Sequence, residues 1–291
     1  MSAVPGGHDH YFVPEPSPYP ILLAGALFLV GLGAALLVNS IAAGWAPLAA
    51  GAGLGAYVLY GWFGRVIGET RAGLYGVKED RAFRWGMMWF ITSEVVFFAS
   101  LFGVLFYERH IAIPWLASFS SPHSPLSHYA PWPAFRAAWP SSGPAGKAFA
   151  TVSPWGIPAV NTLILLSSGV TVTWAHAGLR AGNRSRLKWG LALTILLGVT
   201  FLFLQAHEFA DAYSKLGLTL RSGVYGATFF ILTGFHGLHV TVGAIMLSVI
   251  LARSFKGDFT PQDHFGFEAV SWYWHFVDVV WLTLFVFVYW L

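Results

Sequence analysis

Three observations predict an all-α, polytopic membrane fold. Hydrophobic residues make up 56% of the chain and charged residues 10%, mean hydropathy is +0.62, and apolar runs long enough to cross a bilayer recur along the sequence. In lipid an isolated apolar segment satisfies its own backbone polar groups only as a helix, so each run is read as a helix.

The runs cover residues 21–43, 48–66, 83–107, 157–179, 187–209, 225–252 and 267–291, giving seven spans. The first two are separated by only Gly44-Trp45-Ala46-Pro47, which predicts an antiparallel hairpin, and small residues such as Gly51, Gly53 and Gly55 predict close helix contact. The third carries a single charge, Glu94, between Arg84 and Glu108. A Pro/Ser/Trp-rich connection, 108–156, separates it from the fourth and is the only sizeable polar segment. Short polar links join the remaining spans. The first twenty residues are proline-rich and hold neither Lys nor Arg, unlike the basic start of a signal peptide, so the first span is expected to be retained.

With seven spans the termini lie on opposite sides. Eleven of the 16 Lys and Arg residues flank span ends on the N-terminal side, among them Arg65, Arg71, Arg84, Arg180 and Arg253. The positive-inside rule therefore places the N-terminus in the cytoplasm and the C-terminus in the periplasm, with 108–156 an external loop.

No cysteine is present, which excludes disulfides, thiolate zinc sites and iron–sulfur clusters. The formal charge of +3 is small and scattered, so no nucleic-acid partner is expected. A metal would need His, Met or carboxylate ligands.

Helical rise places the ionisable residues in depth. Glu94 lies roughly 16 Å into its span, His275 and Asp278 about 12 and 16 Å into the seventh, and His239 about 20 Å into the sixth, with His236 one turn further. These five polar groups share a mid-membrane slab, where pairing would offset the several kcal/mol needed to bury an isolated charge. Glu94 reads either as a proton-accepting carboxyl or as a protonated acid joining helices. His275 and Asp278, three apart, share a helix face, as a polar pair positioning the helix or as a relay. His236 and His239 project from one side of one helix, whereas two axial haem ligands need opposite faces of the ring. A metal there would need a ligand from another helix, with His275 the candidate. His207, Glu208 and Asp211 fall at the end of the fifth span, where water is expected to solvate them, and His176 at the end of the fourth is equally cheap to keep. Arg253 is a snorkelling anchor or part of a lipid-headgroup site.

Several stretches make the chain resemble subunit III of the haem–copper respiratory oxidases, in its seven-span cytochrome c oxidase form. They include His8-Asp-His-Tyr-Phe-Val, Ser93-Glu-Val-Val-Phe-Phe98, Thr173-Trp-Ala-His176, Gln205-Ala-His-Glu208 and Thr233-Gly-Phe-His-Gly-Leu-His-Val240. His264-Phe-Gly-Phe-Glu-Ala269 continues them, running into Trp272-Tyr-Trp-His-Phe-Val-Asp-Val-Val-Trp281. The resemblance implies a two-helix bundle (helices I–II, residues 1–82) and a five-helix bundle (III–VII, residues 83–291) separated by a lipid-filled cleft. It implies no catalytic residue, metal or haem in this chain, with haem and copper carried by partner subunits.

By residue-wise match Glu94 is the family's buried, carbodiimide-reactive glutamate, and Trp62, Glu69 and Arg253 fall where the family contacts phospholipid. Implied partners are the catalytic subunit I, subunit II, small accessory subunits and, indirectly, cytochrome c or another donor. The implied setting is an aa3-type, proton-pumping oxidase of a bacterial inner membrane, whose proton uptake and turnover stability the subunit supports. Departures from the family pattern lie in Trp62-Phe-Gly-Arg-Val-Ile-Gly-Glu69, where glycines replace two customary arginines and Arg65 replaces an aspartate. Further departures are Tyr75-Gly76, Ala177 and the long 108–156 loop, which is expected to contact an external subunit or the electron donor. A quinol-oxidase or nitric-oxide-reductase-associated homologue is a related alternative, but such forms usually lack the first two helices. From another class, a proton-coupled transporter with Glu94, His275 and Asp278 as relay calls for broken helices around a polar site, and the sequence shows no such pattern.

Overall fold

The computed structural model describes residues 12–117 and 135–290. Residues 8–11 of the first motif, the middle of the external loop and Leu291 lie outside them. The described residues contain helices and connecting segments and no strand, and seven helices are long and apolar enough to span a membrane. By contacts the chain divides into two compact units, Met1–Trp85 and Gly86–Leu291.

The first unit holds α1 (Tyr19–Val38) and α2 (Trp45–Arg71). Pro20 occupies the first turn of α1, where its missing N–H would be unpaired anyway. The hairpin link is observed at residues 39–44, not at 44–47 as the apolar pattern suggested. Asn39 caps the last turn through Nδ2 to the Ala35 carbonyl (2.9 Å), and Ser40 takes a positive φ of 63°. Trp45-Ala46-Pro47 instead forms the first turn of α2, a position that tolerates proline. The two helices meet where side chains vanish. A Cβ on Gly33 would stand 2.5 Å from the Leu48 nitrogen, and one on Gly51 would stand 2.7 Å from the Ala26 carbonyl oxygen, an antiparallel register of small residues.

The helices outrun their apolar cores. α2 continues to Arg71 and α3 (Val77–Tyr107) begins six residues before the predicted start. Pairs four residues apart support these polar ends: Arg65–Glu69 at 3.1 Å and Asp80–Arg84 at 2.8 Å. Beyond Tyr107 the helix continues through a π turn (Glu108–Ala112) and one α turn (Ile113–Ala117), so the external loop starts later than its polarity suggested.

The second unit contains the rest of α3 and four more helices: α4 (Ile157–Arg180), α5 (Arg184–Lys215), α6 (Val224–Lys256) and α7 (Phe265–Leu284). The last of these runs on as a π turn over Phe285–Trp290. Asn183 caps α5 by accepting from the Arg186 backbone N–H (3.0 Å), and Gly257, left-handed at φ 82°, closes α6. α4 packs on α5 and α7, and α6 packs on α5 and α7. The described part of the external loop folds back on its own chain. Phe149 stacks on Tyr225 (ring centroids 5.4 Å apart), Trp139 meets the same ring edge-on, and the Tyr225 N–H donates to the Ser141 carbonyl at 3.1 Å.

Two α7 tryptophans anchor the core. The Trp274 indole is fully buried and donates to Ser168 Oγ on α4 (2.8 Å), while Trp281 donates to Thr162 Oγ1 (2.9 Å). Glycines on two flanking helices make room for Trp274. A Cβ on Gly198 or Gly243 would lie 2.6 or 2.8 Å from its ring. Outward faces carry large apolar side chains such as Leu196, Phe203 and Ile245, as expected where lipid is the solvent.

Candidate functional site

Glu94, on α3, meets His239, on α6: Oε2 lies 2.8 Å from Nε2. His239 Nδ1 lies 2.6 Å from the Phe235 carbonyl, an acceptor only, so Nδ1 carries a proton and donates it. The 2.8 Å contact then holds one further proton, either on the carboxyl donating to imidazole or on imidazolium donating to carboxylate. Both arrangements give the pair zero net charge. Phe97, Phe98 and Phe276 surround the imidazole with centroids at 6.2, 5.0 and 6.4 Å, and Tyr273 stacks on it at 6.3 Å. Partnering within an aromatic cage removes most of the cost of placing an acid at this depth.

The other slab residues form separate groups. His275 Nδ1 and Asp278 Oδ2 are 3.5 Å apart, and His275 Nε2 reaches Thr173 Oγ1 at 3.3 Å. Gly169 leaves space for that carboxylate, since a Cβ there would sit 2.6 Å from Oδ2. His236 is fully buried against Phe201 and Trp281, with Nε2 3.2 Å from the Val277 carbonyl. Depth puts these residues at one level, but the helix faces divide them into the Glu94–His239 pair, the His275–Asp278 pair and a lone packed imidazole.

Two clusters depart from the sequence expectation. Glu208 was expected in water, yet it is 3% exposed, and its Oε1 accepts from the Tyr289 hydroxyl (2.7 Å) and the Gln205 amide (3.1 Å). The π-helical end of α7 carries Tyr289 over it. His176, also expected to be inexpensive at a helix end, faces His264 and Glu268 at the start of α7, with Nε2 3.7 Å from Glu268 Oε1. His264 and Glu268 lie four apart on the first turn of α7, and that spacing was the available signal. Nearby, Arg253 donates from Nε to Asp258 (3.0 Å) and lies over the Phe259 ring.

In the first unit a cavity of about 350 Å³ is lined by the chain before α1, the end of α2 and the start of α3, including Trp62, Arg65, Glu69 and Tyr75. Arg65 pairs with Glu69 (3.1 Å) and Glu15 (3.3 Å), and the Tyr75 hydroxyl donates to Glu69 at 2.5 Å. Burial, reinforced by the Glu69 carboxylate, holds the Tyr75 phenol above its ordinary range, so it remains a donor. Two of the residues that depart from the family pattern, Arg65 and Tyr75, therefore both serve Glu69. Trp62 stacks on Tyr19 at 6.1 Å.

Seven apolar helices, an intramembrane acid–imidazole pair and aromatic caging define a polytopic α-helical membrane protein with paired intramembrane acids. The model of the cytochrome c oxidase subunit III family matches residues 8–291. Proteins named cytochrome c oxidase subunit 3 from Tetraodon nigroviridis and Oryctolagus cuniculus are 41% identical over 287 residues, and the one from Salmo salar is 42% identical, each alignment covering 96% of both chains. The chain belongs to the cytochrome c oxidase subunit III family. It is accordingly a subunit of an oxidoreductase complex, assembled with other oxidase subunits.

Proposed function

We propose that this chain is the non-redox third core subunit of an aa3-type, proton-pumping cytochrome c oxidase. In this reading it packs beside subunit I, with subunit II and small accessory subunits in the same complex, and receives no electrons itself. Haem and copper belong to the partners, and cytochrome c or another donor acts only through them. The observation that carries the reading is the caged Glu94–His239 pair. It holds a proton with no net charge, as expected of a subunit that sustains proton supply to a neighbour. Phospholipids are proposed to contact Trp62 and Glu69 in the first unit and Arg253 in the second, with basic helix ends favouring anionic headgroups. The proposed setting is a bacterial inner membrane, and the basic bias supports an N-terminus on its cytoplasmic side.

Removing this subunit from the oxidase is expected to leave the haem spectra and initial turnover intact while inactivation during turnover accelerates and proton uptake slows. Parallel time courses of oxygen consumption and proton uptake check this, and loss of haem signals from the assembled remainder would overturn it. Carbodiimide reacts with a protonated carboxyl, a form available to Glu94 as donor to His239. Labelling of the chain in the bilayer is expected to map to Glu94 and to disappear in Glu94→Gln, whose amide can still donate to His239 Nε2. Undiminished labelling of that variant would rule out the assignment.

A further inference from the structure

A second histidine–carboxylate cluster lies within the second unit, where the end of α4 meets the start of α7. His264 Nε2 is 3.3 Å and His176 Nε2 is 3.7 Å from the same oxygen, Glu268 Oε1, and one donor atom from each residue lies within 4.8 Å of the other two. The two Nε2 atoms are buried and neither makes a hydrogen bond. His264 Nδ1 lies 3.1 Å from the Thr260 carbonyl, which fixes its proton on Nδ1 and leaves a bare lone pair on Nε2 aimed at the carboxylate. The lone pairs of His264 Nε2 and Glu268 Oε1 face each other at 3.3 Å and repel unless a positive charge sits between them. A proton on His264 would satisfy that contact alone and leave His176 Nε2, also buried, without a hydrogen bond.

We propose that His176, His264 and Glu268 bind Zn2+. With metal–nitrogen and metal–oxygen bonds of about 2.0–2.2 Å, a tetrahedral site sets neighbouring donors about 3.4 Å apart; two of the observed separations, 3.3 and 3.7 Å, lie close to that, and the third is within 4.8 Å. Two imidazoles and a carboxylate are a donor set zinc accepts, leaving one position for water. The Nδ1–H of His264 on a backbone carbonyl is the outer hydrogen bond that orients a metal-binding histidine. The site joins the C-terminal end of α4 to the first turn of α7, so the ion acts as a clip between two helices of the core. It shares no residue with the Glu94–His239 pair and stands whether or not the proton-supply reading does.

The test uses the full-length chain in detergent, stripped with EDTA, dialysed against Zn2+ and analysed for metal by mass spectrometry. One zinc per chain is expected for the wild type and for His207→Ala, which removes an exposed histidine elsewhere. Glu268→Gln and His264→Ala are expected to bind at least about tenfold more weakly, since loss of even an outer-shell partner costs that much. Helical circular dichroism and gel filtration verify that the variants are folded. Co2+ in place of Zn2+ should give the visible absorption of a tetrahedral ion, absent from both variants. No zinc on the wild type, or equal zinc on wild type and Glu268→Gln, would overturn the proposal. A cobalt spectrum unaffected by His264→Ala would do so too.

Discussion

Trp274→Ala is expected to destabilise the second unit by about 3–5 kcal/mol, the range for truncating a large buried aromatic. The indole is wholly buried, fills the space left by Gly198 and Gly243, and donates to Ser168, so its removal opens a cavity where three helices meet it and strips the Ser168 hydroxyl of its donor. The glycines make collapse difficult, because neither bears a side chain that could move into the void. Denaturant unfolding of the purified chain, followed by circular dichroism, measures the effect. Trp290→Ala serves as the comparison, since that residue is half-exposed, and its effect should be far smaller. Similar losses for the two variants would mean that Trp274 does not anchor the bundle.

Replacing Glu208 by Ala should be the next most damaging change. Its Oε1 accepts from both the Tyr289 hydroxyl and the Gln205 amide, so the substitution leaves the buried Tyr289 hydroxyl without its acceptor and the Gln205 amide with only a long contact, 3.4 Å, to that hydroxyl. An orphaned buried donor costs about 1–3 kcal/mol. Glu208→Gln keeps an acceptor oxygen in the same place and should recover most of the stability. Asp211→Asn, three residues further along the same helix, weakens only its surface pairs with Lys215 and His207 and should change stability by less than about 1 kcal/mol. The same unfolding assay separates these cases, and a Glu208→Ala variant as stable as Asp211→Asn would show that water reaches Glu208 after all.

Glu208 also shows where sequence reasoning met its limit. Hydropathy located all seven helices, because an apolar run of bilayer length has one structural solution. It set their ends by polarity, and the ends are where it failed. Helices persist past the apolar run when charged residues pair along them, as at Arg65–Glu69, and a polar residue at a helix end is solvated only if no other element covers it. Tyr289, from the last turn of the chain, covers Glu208. Depth was equally legible, since rise per residue is fixed, and it brought Glu94, His236, His239, His275 and Asp278 to one level. Rotation about each helix axis was not, because it depends on packing between helices. For that reason the Glu94–His239 contact, and the meeting of His176 with His264 and Glu268, emerge only in three dimensions. In the first unit Arg65 stands where the family pattern has an aspartate, and only the fold shows that it holds Glu69.

The way His239 is held bears on how a proton could travel. An imidazole conducts when it takes a proton on one nitrogen and releases another from the opposite one. Here the opposite nitrogen is tethered to the Phe235 carbonyl of its own helix, and aromatic rings stand around the heterocycle. While that tether lasts, a proton arriving at His239 from Glu94 has no exit except back through Glu94. The pair is therefore a cul-de-sac, and no segment of a wire through the bundle.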